Sequence, residues 1–325
     1  MFLCVGNPEV MMNSIEQTHH RRRQWEAALI LVTALWGWSF VAIHDALNGM
    51  SDSTFNACRF LVAAIAMLLV AAARRRRISK IDLVQGGMAG MALYLAFLFQ
   101  TKGLKFTSAS NAAFITGLAV IFTPLLLFFW RHVKPERRQV VGIFLATIGL
   151  ALLTLKGLSV RWGDLLVLMC AASFALHIIL LSRASKMADA FNIALIQISV
   201  VGLLSLAQSV VMGEWAIPPA GAAVNAILVI GVLGTALGFY VQTKAQVASS
   251  PNRIALIIVL EPVFGGLFGY FLAGDRLTMY NWIGAALIVA GMLVTEIRLT
   301  RDRSEPSAHC LLYTSDAADD MQCVD

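Results

Sequence analysis

The 325 residues are 58% hydrophobic and only 14% charged, with a mean hydropathy of +0.75 and a net charge of +6. Soluble domains carry about a quarter charged residues, so this composition excludes an ordinary soluble globular protein. The basic surplus lies in short clusters between long apolar runs, which argues for orientation in a bilayer and against nucleic-acid binding.

Residues 1–25 are polar and read as a cytoplasmic tail, with no cleavable leader and with Met11 or Met12 as the expected start. Apolar spans follow at 26–46, 54–73, 83–101, 107–130, 139–155, 163–182, 191–211, 222–243, 252–273 and 281–298. About 20 apolar residues cross a hydrocarbon core as a helix, and in lipid each backbone donor and acceptor needs a partner within the chain. The runs are apolar all round, whereas strands of a transmembrane barrel alternate polar and apolar. The fold class expected is therefore an all-α integral membrane protein with ten transmembrane helices. The fifth span is the shortest, and Arg74 to Arg77, Arg131 to Arg138 and Pro218-Pro219 mark breaks.

With the N-terminus inside, inner segments hold nineteen Lys and Arg residues and outer segments five. That bias predicts a cell inner (plasma) membrane protein, multi-pass, with both termini cytoplasmic.

The two halves resemble each other. Gln100-Thr101-Lys102 matches Gln242-Thr243-Lys244, and at the same offset of 142 residues Ser108 matches Ser250, Ala113 matches Ala255, and Gly142 and Gly149 match Gly284 and Gly291. Trp25 matches Trp162 at an offset of 137. Five spans per half is an odd number, so the second half enters from the opposite side. Two inverted five-helix repeats are expected, at 26–155 and 156–298, followed by a cytoplasmic tail at 299–325. This construction occurs in secondary transporters.

Glu261 lies near the middle of its span, where a lone carboxylate costs several kcal/mol unless paired, hydrated or protonated. Pro262 follows, and a proline frees a backbone carbonyl and kinks a helix. Glu261 could titrate or bind a cation at such a kink, or could be a permanently bonded packing group. Arg59 lies about one and a half turns from the outer edge, and snorkelling to that edge is the expected behaviour, ahead of an anion-attracting role. His177 is a candidate proton relay or substrate contact, or a satisfied core histidine. Trp36 and Trp38 are candidate walls of an aromatic cavity, or plain packing. Asn111, Gln197 and Gln242 suit interhelical hydrogen bonds. Pro124 and Pro262 are the expected helix kinks, and Gly86/Gly90, Gly234/Gly238 and Gly265/Gly269 have the spacing of close helix contacts.

Neither HExxH, GxSxG nor a P-loop is present, so no enzyme is expected. The five cysteines show no metal or disulfide spacing, and no cofactor or metal is expected.

The run Thr107 to Leu118 resembles the fourth helix of the EamA-like family of drug/metabolite transporters. Ser249 to Leu256, leading into Leu260-Glu261-Pro262-Val263-Phe264, resembles the ninth helix. Trp36-Gly37 resembles the first-helix signature of the family, and Gly274-Asp275-Arg276-Leu277-Thr278 its Gly-Glu-Arg-Leu-Thr turn, with Asp for Glu. The likeness spans about residues 26–298. It implies a central cavity and export or exchange of small metabolites such as amino acids. Val120 stands where the family often has proline, with Pro124 one turn later. The implied partners are a small-molecule substrate, the lipid bilayer and a proton or counter-substrate. No nucleic acid is implied, and the assembly is a monomer or homodimer. A membrane-embedded sensor and a channel-like facilitator are the alternatives. Cys310 to Asp320 resembles translated sequencing-adapter sequence, and residues after about 304 are set aside as non-native.

Overall fold

The computed structural model describes residues 8–131, 134, 136–154, 161–249, 254 and 257–296. Among these residues the regular structure is entirely helical: α1 (Pro8–Ala46), α2 (Asp52–Ala73), α3 (Lys80–Leu104), α4 (Ala109–Gly117), α5 (Ala119–Arg131), α6 (Arg137–Thr154), α7 (Trp162–Ala184), α8 (Ala190–Val211), α9 (Ala222–Val229), a π-helical segment (Ile230–Leu237), α10 (Gly238–Ala248), α11 (Leu260–Leu272) and α12 (Met279–Glu296). The expected non-native tail lies outside the described residues.

Side-chain caps set the helix starts. Ser51, Ser108 and Asp189 accept from backbone N–H groups in the first turns of α2, α4 and α8, and Ser79 and Asp82 form a reciprocal capping box on α3. Such caps satisfy donors that a helix leaves open.

Among the described residues, seven helical stretches are long and apolar enough to cross a membrane: Arg22–Ala46, Asp52–Ala73, Lys80–Leu104, Ala109–Phe129, Trp162–Ala184, Ala190–Val211 and Ala222–Ala248. The helices α6, α11 and α12 lie outside these seven. The surface is apolar, with Leu31, Phe129, Phe144 and Phe271 exposed, while Arg59, His177 and Gln197 are buried. An outward apolar face with polar groups inside suits a lipid surround.

Two span expectations are refined. The fourth span is two segments, broken at Leu118 between α4 and α5. The eighth runs on to Ala248 and carries the π-helical segment in its middle.

The principal packing joins the two halves: α3 with α7 and α8, α2 with α8 and the π segment, α1 with α10 and α11, α4 with α11, and α6 with α12. With α7 against α4 and α5 as the counterpart of α1 against α11, the pattern is unchanged when the halves are exchanged.

Counterpart helices pack antiparallel. Thr54, at the start of α2, bonds Ser209 near the end of α8 (2.7 Å), and Arg76, past the end of α2, pairs with Asp189 before α8 (2.8 Å). Along α4 and α11, Ser110 lies against Gly269, Ala113 against Gly265, and Gly117 against Pro262. Of the glycine pairs expected from spacing, Gly86/Gly90 and Gly265/Gly269 make close approaches, whereas a Cβ on Gly234 would come no nearer to another helix than 3.9 Å, at Leu35. A Cβ on Gly265 would collide with that of Ala113, and one on Gly90 would sit 2.9 Å from Gln197 Cα.

Pro124 sits inside α5, which runs through it, and the break falls at Leu118. A Cβ on the neighbouring Gly117 would meet Met292 Cε at 2.6 Å and Pro262 Cγ at 2.8 Å, so the break lies beside the crossing with Pro262 of the other half. In the second half Val259 is a turn residue between Ile258 and α11, beside Pro262.

Candidate functional site

A cavity lies where the two halves meet, walled by α1, α2, α3, α4, α5, α7, α10 and the start of α11. Its void is about 660 Å³ with the open mouth included. Residues from equivalent positions of the two halves line it together. Phe97 and Phe239 both line the cavity, as do Gln100 and Gln242, Thr116 and Ile258, and Ala119 and Glu261, each pair 142 residues apart.

Of the residues singled out in the sequence, Trp36, Arg59, His177, Gln242 and Glu261 line this cavity. Two do not. Trp38 packs on the main apolar core, and Asn111 is buried in the first turn of α4. Ser39, Phe97, Gln100, Thr116, Phe174 and Phe239 were missed. A signal existed for one of them, since Gln100 is the repeat partner of Gln242.

Arg59 does not snorkel. It is 1% exposed, and its Nε donates to Thr235 Oγ1 at 2.8 Å. Its Cζ lies 4.8 Å from the ring centre of Phe97 and 5.1 Å from that of Phe60, within cation–π range. Depth in the span made snorkelling feasible, but the azimuth of Arg59 on α2 faces the π segment and the cavity. The Nη1 atom of Arg59 is buried without a hydrogen-bond partner.

Glu261 occupies the first turn of α11, where the positive end of the helix dipole favours a carboxylate. Arg59 and Glu261 interact electrostatically across the cavity, yet no ion pair within 4.0 Å joins them. The Oε1 atom of Gln242 is buried and unpartnered. The site therefore presents an unused cationic donor, a carboxylate and an unused amide acceptor to one space.

His177 is 1% exposed, and its Nε2 lies 2.8 Å from Gln197 Oε1. Trp36 donates from Nε1 to Gly234 O at 2.6 Å. The aromatic wall is continuous: Phe97 meets Phe174 at 5.4 Å and Phe239 at 6.1 Å between ring centres, and Trp36 meets Phe239 at 5.5 Å. Among the described residues no group of three or more His, Cys, Asp or Glu side chains is placed to hold a metal ion.

Polar contacts secure the crossings beyond the cavity. Asp82 accepts from the backbone N–H of Asp189 and from Asn192 Nδ2, at 3.0 and 2.9 Å. Thr107 donates to Asp164 at the start of α7. The equivalent Ser249 donates to Glu26 of α1 at 2.8 Å.

A polytopic helical bundle of two like halves, with a polar and aromatic cavity at their junction, defines a membrane protein of the two-repeat transporter type. The chain belongs to the EamA-like transporter family, whose pattern matches residues 23–155 and again residues 161–297. A protein of Archaeoglobus fulgidus described as an uncharacterized transporter is 28% identical over 280 residues, covering 86% of this chain and 88% of the relative. A protein of Streptantibioticus cattleyicolor described as a probable terminal-alkyne amino-acid exporter is 24% identical over 292 residues, covering 86% of this chain and 96% of the relative. One solved crystal structure shares the fold, with a TM-score of 0.59 at 18% identity, over 82% of this chain and 96% of that one.

Proposed function

We propose that the protein is a secondary transporter, an exporter or exchanger that carries small organic metabolites such as amino acids across the cell membrane by alternating access. The observation that carries this reading is the cavity between the halves, where Arg59 and Glu261 face one space without pairing. An α-amino acid offers a carboxylate to the first and an ammonium to the second, and its side chain would lie among Trp36, Phe97, Phe174 and Phe239. The exporter of S. cattleyicolor named above supports the same class.

On this reading ten helices cross the membrane in two inverted sets of five. The antiparallel packing of α2 on α8, α4 on α11 and α6 on α12 supports the inversion. The helices α6, α11 and α12 are assigned to the bilayer by their place in the repeat. Both termini face the cytoplasm, as the basic-residue bias suggests. Exchange of the two halves' roles would close the cavity to one side and open it to the other, driven by a proton or a counter-substrate.

Reconstitution in proteoliposomes tests this. Counterflow of labelled amino acid into vesicles preloaded with unlabelled amino acid is the expected result. Flux without counterflow would show a channel-like facilitator, and binding without flux would show a sensor.

A further inference from the structure

We propose that Thr235 is a positioning residue, and that the π-helical turn carrying it aims the guanidinium of Arg59 at an anionic group of the substrate. The proposal rests on the transporter reading above and adds the element that orients its cationic pole.

In the π segment each N–H reaches one residue further back than in an α-helix. The N–H of Gly238 accordingly goes to Leu233 O, shared with Thr235 O, and leaves Gly234 O for the indole of Trp36. One residue on, Thr235 Oγ1 donates to Ile230 O at 2.9 Å, five residues back. That bond spends the hydroxyl proton, so the oxygen can only accept toward Arg59, and it takes the Nε–H at 2.8 Å. Thr235 is fully buried, which leaves water no place at this oxygen. Arg59 is thus held at Nε by Thr235 and across its plane by Phe97 and Phe60. Nη1 remains, buried and unpartnered, on a residue that lines the cavity. A buried guanidinium with a free N–H on a fixed plane suits a carboxylate, which accepts charge-assisted bonds along a defined direction.

The position has no like partner in the other half. Leu93 occupies the equivalent place 142 residues earlier, and Gln197 occupies in α8 the turn that Arg59 occupies in α2. The anion-orienting device is therefore built once, on the side of α2 and the π segment, and gives the substrate a polarity within an otherwise pseudo-symmetric cavity.

The test uses the full-length protein in detergent or nanodiscs with Thr235→Val, which keeps shape and removes the acceptor, and Thr235→Ser, which keeps the acceptor. Two readouts are taken. In protein labelled with 15N-arginine, the Nε–H signal of Arg59, assigned by its loss in Arg59→Lys, is expected to exchange slowly in wild type and Thr235→Ser and at least tenfold faster in Thr235→Val. In binding measurements Thr235→Val is expected to weaken L-phenylalanine by about tenfold, the scale of one bond to a charged group. It should leave 2-phenylethylamine, which lacks the carboxylate, unchanged, and Thr235→Ser should restore phenylalanine binding. Unchanged Nε–H exchange in Thr235→Val, or equal weakening of both probes, would overturn the assignment. Failure of the wild-type protein to bind either probe counts against the amino-acid reading of the cavity, and the Nε–H exchange then decides the role of Thr235 by itself.

Discussion

Gly149 and Gly291 occupy the same place in the two halves, and each makes room for the backbone of the other's helix. A Cβ on Gly149 would lie 2.5 Å from Gly284 O, and one on Gly291 would lie 2.6 Å from Gly142 O. Gly142 and Gly284 are themselves repeat partners, so the crossing of α6 and α12 is one contact made twice.

Alanine at either position is expected to push the two helices apart, at a cost of about 1–3 kcal/mol. Thermal unfolding in detergent should show Gly149→Ala and Gly291→Ala each lowering the midpoint, with the double variant departing from additivity because both substitutions act on one crossing. Gly87→Ala is the control, since nothing lies within 4 Å of a Cβ there. If Gly149→Ala melts like Gly87→Ala, the close crossing is not formed in the membrane protein.

Asp275 ties the second half to the first through a helix end. Its Oδ2 accepts from the backbone N–H of Ser110 at 2.8 Å, at the first turn of α4, and its own N–H bonds Gly269 O at 3.1 Å. Capping carboxylates contribute about 0.5–2 kcal/mol. Asp275→Ala is expected to lower the unfolding midpoint by that order, with Asp275→Glu recovering part of it. An unchanged midpoint for Asp275→Ala would mean that water replaces the cap without loss.

Glu261→Gln keeps the size and hydrogen bonding of the side chain but cannot exchange a proton. If coupling runs through this carboxylate, the variant should lose uptake driven by a pH gradient and keep exchange of substrate for substrate. Normal concentration of substrate under a pH gradient would remove Glu261 from the coupling role. Failure of the variant to insert or to survive extraction would make its role structural.

Cytoplasmic termini are checked with a reporter fused after Thr300. Activity of a reporter that works only in the cytoplasm is expected. Activity of one that works only outside it would reverse the orientation inferred from Lys and Arg.

The repeat was legible because duplicated residues leave a fixed offset, and Gln100 and Gln242 show it in the sequence. That they face one cavity was not, since an offset carries no information about which side of a helix turns inward. Depth alone misled for Arg59. Its position near the outer edge allowed an escape to water, while its azimuth, set by the packing of α2 on the π segment, turned it inward. The π segment itself had no local signature. Gly231, Gly234 and Gly238 fit close packing as well as a register change, and the widened turn is recognised only by where Trp36 and Arg59 bond. The break of the fourth span at Leu118 was not legible either: it lies beside the contact of Gly117 with Pro262, a partner 145 residues away.

Because the most extensive packing joins helices of opposite halves, the helices of the first half leave the ribosome with most of their neighbours still unmade. They can enter the lipid one by one, but their tight assembly waits for the second set, as in a two-stage course of insertion followed by docking. Severed in the connection between α6 and α7 and produced as two chains, the pieces would be expected to find each other in the bilayer. The surfaces involved also point to ancestry: a lone first half meets its best available substitute in an upside-down copy of itself.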